Sequence, residues 1–404
     1  MHTEPKSPQE PARPAASGLG RRALLATGAA LAAGVGAAAD SRTDSGRAQR
    51  RSGASGAPSP AAAIPFHGLR QAGVTAPQLP ATHILSFDLA PTSVAADRET
   101  LRNILAALTR TLSAAAAGTF PDPRLQGGAD TTRLTSLVGI GPALASRLAL
   151  NVPPELAELP PHPGDRLDPA RGNGDILLQL SAADRWTLAV VAELATTAAQ
   201  SAGAVPRWTQ TGFLPHTSPG VTPRNLFGLK DGTANPDDTT AERWVWGPPG
   251  PHRHGTILVY RRIRMDIPAF TTLPEERRNT IIGRRVTDGV PLTGTTEHED
   301  PDIYAKNPDG SYLIPATAHV RLSSPRLDTG ARMLRRSHSY DDAPNDRGLL
   351  FCAFMRDPAL FTRVQNRLAT RDALTPFIEH QASAVAYVLP GAEPGRILGE
   401  QLWT

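Results

Sequence analysis

The sequence predicts an α+β protein built twice over: two tandem halves, each an antiparallel sheet with helices on one side. Three observations lead there. The run HILSFDLAP (His83–Pro91) reads as a strand and leads into the helical pattern ADRETLRNILAALTRTL, just as TILVYRRIRMDI (Thr256–Ile267) leads into TLPEERRNTIIGR. A second pair, GDILLQLSAADRWTLAVVAELAT from Gly174 and GLLFCAFMRDPALFTRVQNRLAT from Gly348, shares a closer plan. Each has a glycine, a short apolar strand, a polar turn containing Asp, and an amphipathic helix ending Leu-Ala-Thr. Third, His83 to Thr256 is 173 residues and Gly174 to Gly348 is 174. A common offset with a common order of elements marks a duplicated β-α-β…β-α-β unit.

Before the first copy the chain is not fold. Paired Arg21 and Arg22 precede an apolar stretch of small residues from Ala23 to Ala39, with a cleavage site after Ala39. The run is too short and too weakly apolar to span a bilayer, so residues 1–39 read as a twin-arginine export signal. The implied destination is periplasmic or extracellular, reached through the twin-arginine export machinery. That route carries folded proteins, often with a cofactor already inserted. Residues 40–63, rich in Ser, Gly, Arg, Ala and Pro, read as a disordered tether. The halves then occupy residues 64–230 and 231–404. The formal surplus of +4 resides in residues 1–63, which hold eight Lys/Arg against four Asp/Glu. The folded part is therefore formally neutral and lacks the basic footprint of a nucleic-acid binder. Cys352 is the single cysteine, which excludes an intrachain disulfide and thiolate metal clusters, and it reads as a small core residue.

The loop NLFGLKDGTANP (Asn225–Pro236) sets Asp231 between Gly228 and Gly232 at the junction of the halves. Its residues make a turn on backbone grounds alone, yet junction loops are also where ligand clefts form. With one Cys, a tightly held transition metal must rely on His or carboxylates. The eleven histidines contain no HExxH. His252 and His254 are spaced His-x-His in a Pro/Gly loop that leads into a strand. His319, in YLIPATAHVRLSSP, is expected in or beside an extended segment. RMLRRSHSY places Arg335 and Arg336 behind an apolar pair. One imidazole, one acid and one fixed cation are the parts a haem peroxidase needs. The imidazole ligates iron, the acid moves a proton between peroxide oxygens, and the cation stabilises charge on the departing one.

The segments GLKDGTANP, AHVRLSSPR, MLRRSHSYDD and GLLFCAFMRDP…FTRVQNRLATRDAL, in that order, resemble the dye-decolorizing (DyP-type) peroxidases. The twin-arginine-exported branch that includes the deferrochelatase/peroxidases is similar over residues 65–404. The family's Gly-x-x-Asp-Gly signature is matched by Gly228–Gly232. The resemblance implies two ferredoxin-like halves of the dimeric α+β barrel type, with one haem b per chain between them. It makes His319 the proximal iron ligand, and Asp231 and Arg335 the distal acid and arginine. The backbone of Gly232, Thr233 and Ala234, and the turn Ser324, Pro325, Arg326, match haem-contacting positions, with Arg326 toward a propionate. It implies a secreted enzyme that uses hydrogen peroxide to oxidise bulky, dye-like organic reductants. Two further readings stand beside it: release of iron from haem with the porphyrin left intact, and a non-catalytic haem carrier. A homo-oligomer is compatible with all three.

A second acid should hold the other nitrogen of His319, and Asp372 and Glu379 are the candidates. A carboxylate with a pKa near 4 is a working base in acid, so dye oxidation should peak at acidic pH. Trp208, Trp244, Trp246, Tyr340 and Tyr387 are candidates to relay electrons from reductants too large to enter. His338 stands where the family often has an aromatic residue and is expected at the surface.

Overall fold

The computed structural model describes residues 63–218 and 220–404. The expected export signal and all but the last residue of the expected tether lie outside them. Among the described residues nine strands form: β1 (Ala81–Leu89), β2 (Leu134–Ile140), β3 (Ile176–Ala182), β4 (Ala204–Phe213), β5 (Thr256–Met265), β6 (Leu334–Arg335), β7 (His338–Ala343), β8 (Asp346–Met355) and β9 (Ile378–Val388). In the first half the order is β2-β3-β1-β4, and in the second it is β9-β5-β8-β7, with every pair antiparallel. Both are the ferredoxin-like arrangement. The paired segments fall on equivalent strands, β1 with β5 and β3 with β8.

The two sheets do not merely pack. They join edge to edge at two narrow seams. One is Gly139 and Ile140 of β2 opposite Val388 and Tyr387 of β9; the other is the single pair Phe213 of β4 and Ser339 of β7. With β5 also paired to β8, eight strands close into a barrel, and β6 lies along β8. Closure removes free sheet edges.

Period-two alternation sorts the strand residues. Ile84, Leu177, Leu258, Tyr260, Cys352 and Phe354 fill the lumen. Leu85, Phe87, Val138, Leu178 and Leu180 point outward from the first half into a core shared with two long helices. The helix Val94–Ala116 starts at Ser93, whose side chain caps Ala96 N, and presents Leu101, Ile104, Leu105, Leu108 and Leu112 at helical spacing. The helix Arg185–Ser201 is capped by Asp184, which accepts from Thr187 N at 2.8 Å. The second half covers its outer face with shorter pieces, Ile267–Thr271, Glu275–Ile282 and Ala359–Arg371. Its outward core is split into two clusters.

Candidate active site

A cavity of about 290 Å³ opens among those shorter pieces. Ile263, Leu349 and Phe351 of the sheet, with Leu360, Val364 and Leu368 of the helix Ala359–Arg371, give it apolar walls. Asp231, Arg335 and His319 all face it. Thr233, Ala234, Ser324, Pro325 and Arg326 line it too, while Gly232 lines a small adjoining hollow with Asp231 and Arg335. The resemblance placed the ligand between the halves. The cavity lies mainly against the strands and helices of the second half, and residues 64–230 reach it through Pro163, Gly164 and the loop residues Asn225, Phe227, Leu229 and Lys230. The reason is helix length: the first half's long helices fill its outer face, and the second half's short ones leave room.

The acid's loop is held from several directions. Asn225 Oδ1 accepts from Phe227 N and Leu229 N, and Asp231 N donates to Pro223 O at 3.0 Å. Gly228 and Gly232 have φ of 79° and 105°, values that L side chains rarely adopt. Arg224 clamps Gly228 O at 2.5 Å and Val286 O at 2.7 Å, and Lys230 pairs with Glu297. Arg335 stands with Nη2 3.8 Å from Asp231 Oδ1. Asn235 fixes that juxtaposition. Its Nδ2 donates to Arg335 O at 2.8 Å and its Oδ1 accepts from Arg335 N at 2.9 Å, tying the loop to β6. The sequence offered Asn235 only as a turn residue, because its partner lies 100 positions away. Arg284 carries no local sequence signature either; its guanidinium donates to Gly289 O and Glu297 O beside the cavity.

His319 was expected in or beside an extended segment. It opens the four-residue helix His319–Leu322, with Ala318 still extended before it. Its Nδ1 lies 2.6 Å from Asp372 Oδ2, and the Asp372 side chain is 1% exposed. Asp372 ends the helix Ala359–Arg371, and its other oxygen accepts from Leu374 N at 2.9 Å. Of the two acids considered, Glu379 turns away toward Arg166 and Arg264. Burial lowers the His319 pKa, but the Asp372 charge and hydrogen bond outweigh it, so the net shift is upward; Arg335 and Asp231 are near enough to contribute in opposite senses. With Nδ1 occupied, Nε2 is the nitrogen left for a ligand.

His338 is not at the surface. It is 1% exposed on the inner side of β7, donating Nε2–H to Leu79 O at 3.0 Å while Gln78 approaches Nδ1. Burial pushes its pKa down to about 4, and Arg336 adds to the effect. Cys352 is buried in the lumen, its thiol pKa raised to about 12 by burial. His252 precedes β5, with its ring edge-on to Tyr387. Trp208 stacks on Tyr260 with centroids 5.3 Å apart. Tyr340 and Tyr387 are fully buried.

The duplicated barrel thus sets an acid, an arginine and a carboxylate-held histidine around one apolar cavity. The chain belongs to the Dyp-type peroxidase family: the family's N-terminal domain matches residues 71–214 and its C-terminal domain residues 222–393. The dye-decolorizing peroxidase of Thermobifida fusca is 35% identical, with 96% of this chain and 95% of that protein aligned. The deferrochelatase of Escherichia coli is 31% identical over 81% of this chain and 84% of that one. A DyP-type peroxidase structure from Cellulomonas bogoriensis superposes with a TM-score of 0.78 at 36% identity, covering 84% of this chain and 98% of that one.

Proposed function

We propose that this peroxidase is exported by the twin-arginine route, holds one haem b through His319, and uses hydrogen peroxide to oxidise bulky organic reductants. One observation carries the reading. A buried carboxylate, Asp372, occupies one nitrogen of His319 and leaves the other for a metal, in an apolar cavity that also presents Asp231 and Arg335. The donor set fits a metal delivered inside a macrocycle. Among the described residues no three His, Cys, Asp or Glu side chains converge as a cage for a bare ion, and the walls are apolar as a porphyrin face requires.

When bound, the haem iron supplies the redox centre at which peroxide is reduced. The chain's own residues do the rest. Asp372 fixes the His319 ring and makes it a stronger donor. Asp231 takes the proton from one peroxide oxygen and returns it to the other, which departs as water, and Arg335 stabilises the negative charge that builds on that oxygen as the bond breaks. Asn235 and the Arg224 clamp keep acid and cation in register. A carrier needs neither. Export rests on Arg21–Arg22 and the apolar run to Ala39. Trp208 and Trp244, both in part accessible, are the relay candidates able to meet a large reductant, while Trp246, Tyr340 and Tyr387 are enclosed.

The purified protein should show a Soret band that His319→Ala abolishes; absence of the band after haem supplementation would remove this reading. A relative named deferrochelatase supports a second one, iron release. It predicts iron-free, intact porphyrin as the product in the absence of peroxide.

A further inference from the structure

The cavity wall beside the first half carries a polar chain that neither His319 nor the Asp231–Arg335 pair uses. Arg261 is fully buried on β5 and pairs with Asp165, which comes from the first half immediately after Pro163 and Gly164. Its Nε–H donates to His380 Nδ1 at 3.3 Å. A neutral imidazole has one N–H, so with Nδ1 accepting, the proton sits on Nε2. Burial, reinforced by the neighbouring Arg261, keeps His380 neutral. His380 Nε2 lies 3.2 Å from the amide of Gln365. Two donors cannot bond each other, so the amide is oriented with Oε1 accepting from His380 and its NH₂ turned away. Gln365 is 6% exposed, lines the cavity, and has no other partner among the described residues. In that orientation the NH₂ has no acceptor from the protein, and Gln365 lines the cavity, so an occupant can supply one.

We propose that this corner is a carboxylate site. Gln365 donates its NH₂ to a carboxylate of the cavity's occupant, and Asp165, Arg261 and His380 hold and polarise it from behind. The inference rests on the reading of the cavity as a haem site. It names a contact through which the first half acts on the second half's ligand. The carboxylate is either a propionate of the macrocycle or the acid group of a reductant.

The test loads apo-protein with haem b or with haem dimethyl ester and follows loss of each to excess apomyoglobin by the Soret band. In the wild type the ester should leave on the order of tenfold faster, the worth of a hydrogen bond to a charged group. Gln365→Leu should speed release of haem b toward the ester's rate and leave the ester's own rate unchanged. Gln365→Glu should release haem b faster still. Unchanged haem loss, with a raised KM for a carboxylated phenol but not for its methyl ester, would assign the site to the reductant. Equal acceleration of both macrocycles would reduce Gln365 to a packing role and overturn the proposal, as would no change in any of these. A wild type that takes up neither macrocycle would remove the haem reading itself, and the inference with it.

Discussion

The two halves share one topology and differ in what covers it. In the first, helices of 23 and 17 residues lie on the sheet and merge into one apolar core. In the second, the segment equivalent to the longer helix is cut into pieces of 5 and 8 residues, and the other helix has 13. The chain between Gly283 and Met333 then runs as loops and short turns, and it brings His319 to the wall. A sheet face must bury its apolar side against something. Where the helix is long, that something is protein; where it is broken, the face is available to a ligand. The first half is the second with its outer face filled by protein, and it contributes to the cavity through the loop from Asn225 to Lys230, Pro163, Gly164 and the Asp165–Arg261 pair.

If that division is right, substitutions should separate cleanly. The largest effect falls on the second half's polar pair. Asp231→Ala and Arg335→Leu should each keep the haem absorption and lose about 10²–10³-fold in peroxide-dependent dye oxidation, followed by stopped flow. Wild-type rates in both would break the assignment. Next comes the filled face. Leu108→Ala, at a position with no exposure, should lower folding stability by about 2–5 kcal/mol while the haem spectrum of the folded protein stays unchanged. Leu368→Ala, on the cavity wall, should reverse that balance: a smaller loss in denaturant midpoint and faster haem release.

The halves were legible in the sequence because each strand–helix unit carries its own periodicity and the offset repeats. Barrel closure was not, since the seams rest on three residue pairs, two at β2–β9 and one at β4–β7, too few to leave a pattern. Motif residues were readable at the cavity because the loop and the Arg pair carry local signatures. Asn235 was not, because its bonds to Arg335 are long-range and its local context is an ordinary turn. The run YLIPATAHV has strand composition, but the bonds Ala318 N to Pro315 O and Ser323 N to His319 O wind it into a turn and a short helix. His338 was expected at the surface because histidine is seldom fully buried; the pleat of β7 put it inside.

A smaller effect would sharpen the role of Asp372. Asp372→Asn keeps an oxygen to accept from His319 Nδ1–H but removes the charge. Activity should fall by about 10–100-fold, the usual cost of losing an outer partner of a metal-binding histidine. The haem absorption should persist but shift in position. A variant indistinguishable from wild type in both rate and spectrum would reduce Asp372 to a helix cap.

The smallest effect concerns the seam where the halves meet, and it is one of stability. His338 has its pKa depressed by burial to about 4, below the ordinary value of 6.5. Between those values an unfolded chain binds a proton at this position that the folded chain does not. Stability therefore falls as pH drops from 6.5 toward 4, by about 1–2 kcal/mol at pH 5 from this group alone. His380, depressed to about 3, works in the same direction, so wild-type curves carry both contributions. His338→Gln retains an N–H for Leu79 O and removes the titration. The difference in denaturant-derived stability between pH 7 and pH 5 should shrink by that amount relative to wild type. The groups facing His338 are Gln78, which does not titrate, and Arg336, whose pKa is lowered only to about 10 and which stays charged across the window, so neither can imitate the change. Parallel pH curves for the two proteins would place the acid sensitivity elsewhere. A shallower curve for the variant would mean that the acidity expected to favour peroxide turnover in one half loosens the seam that joins it to the other.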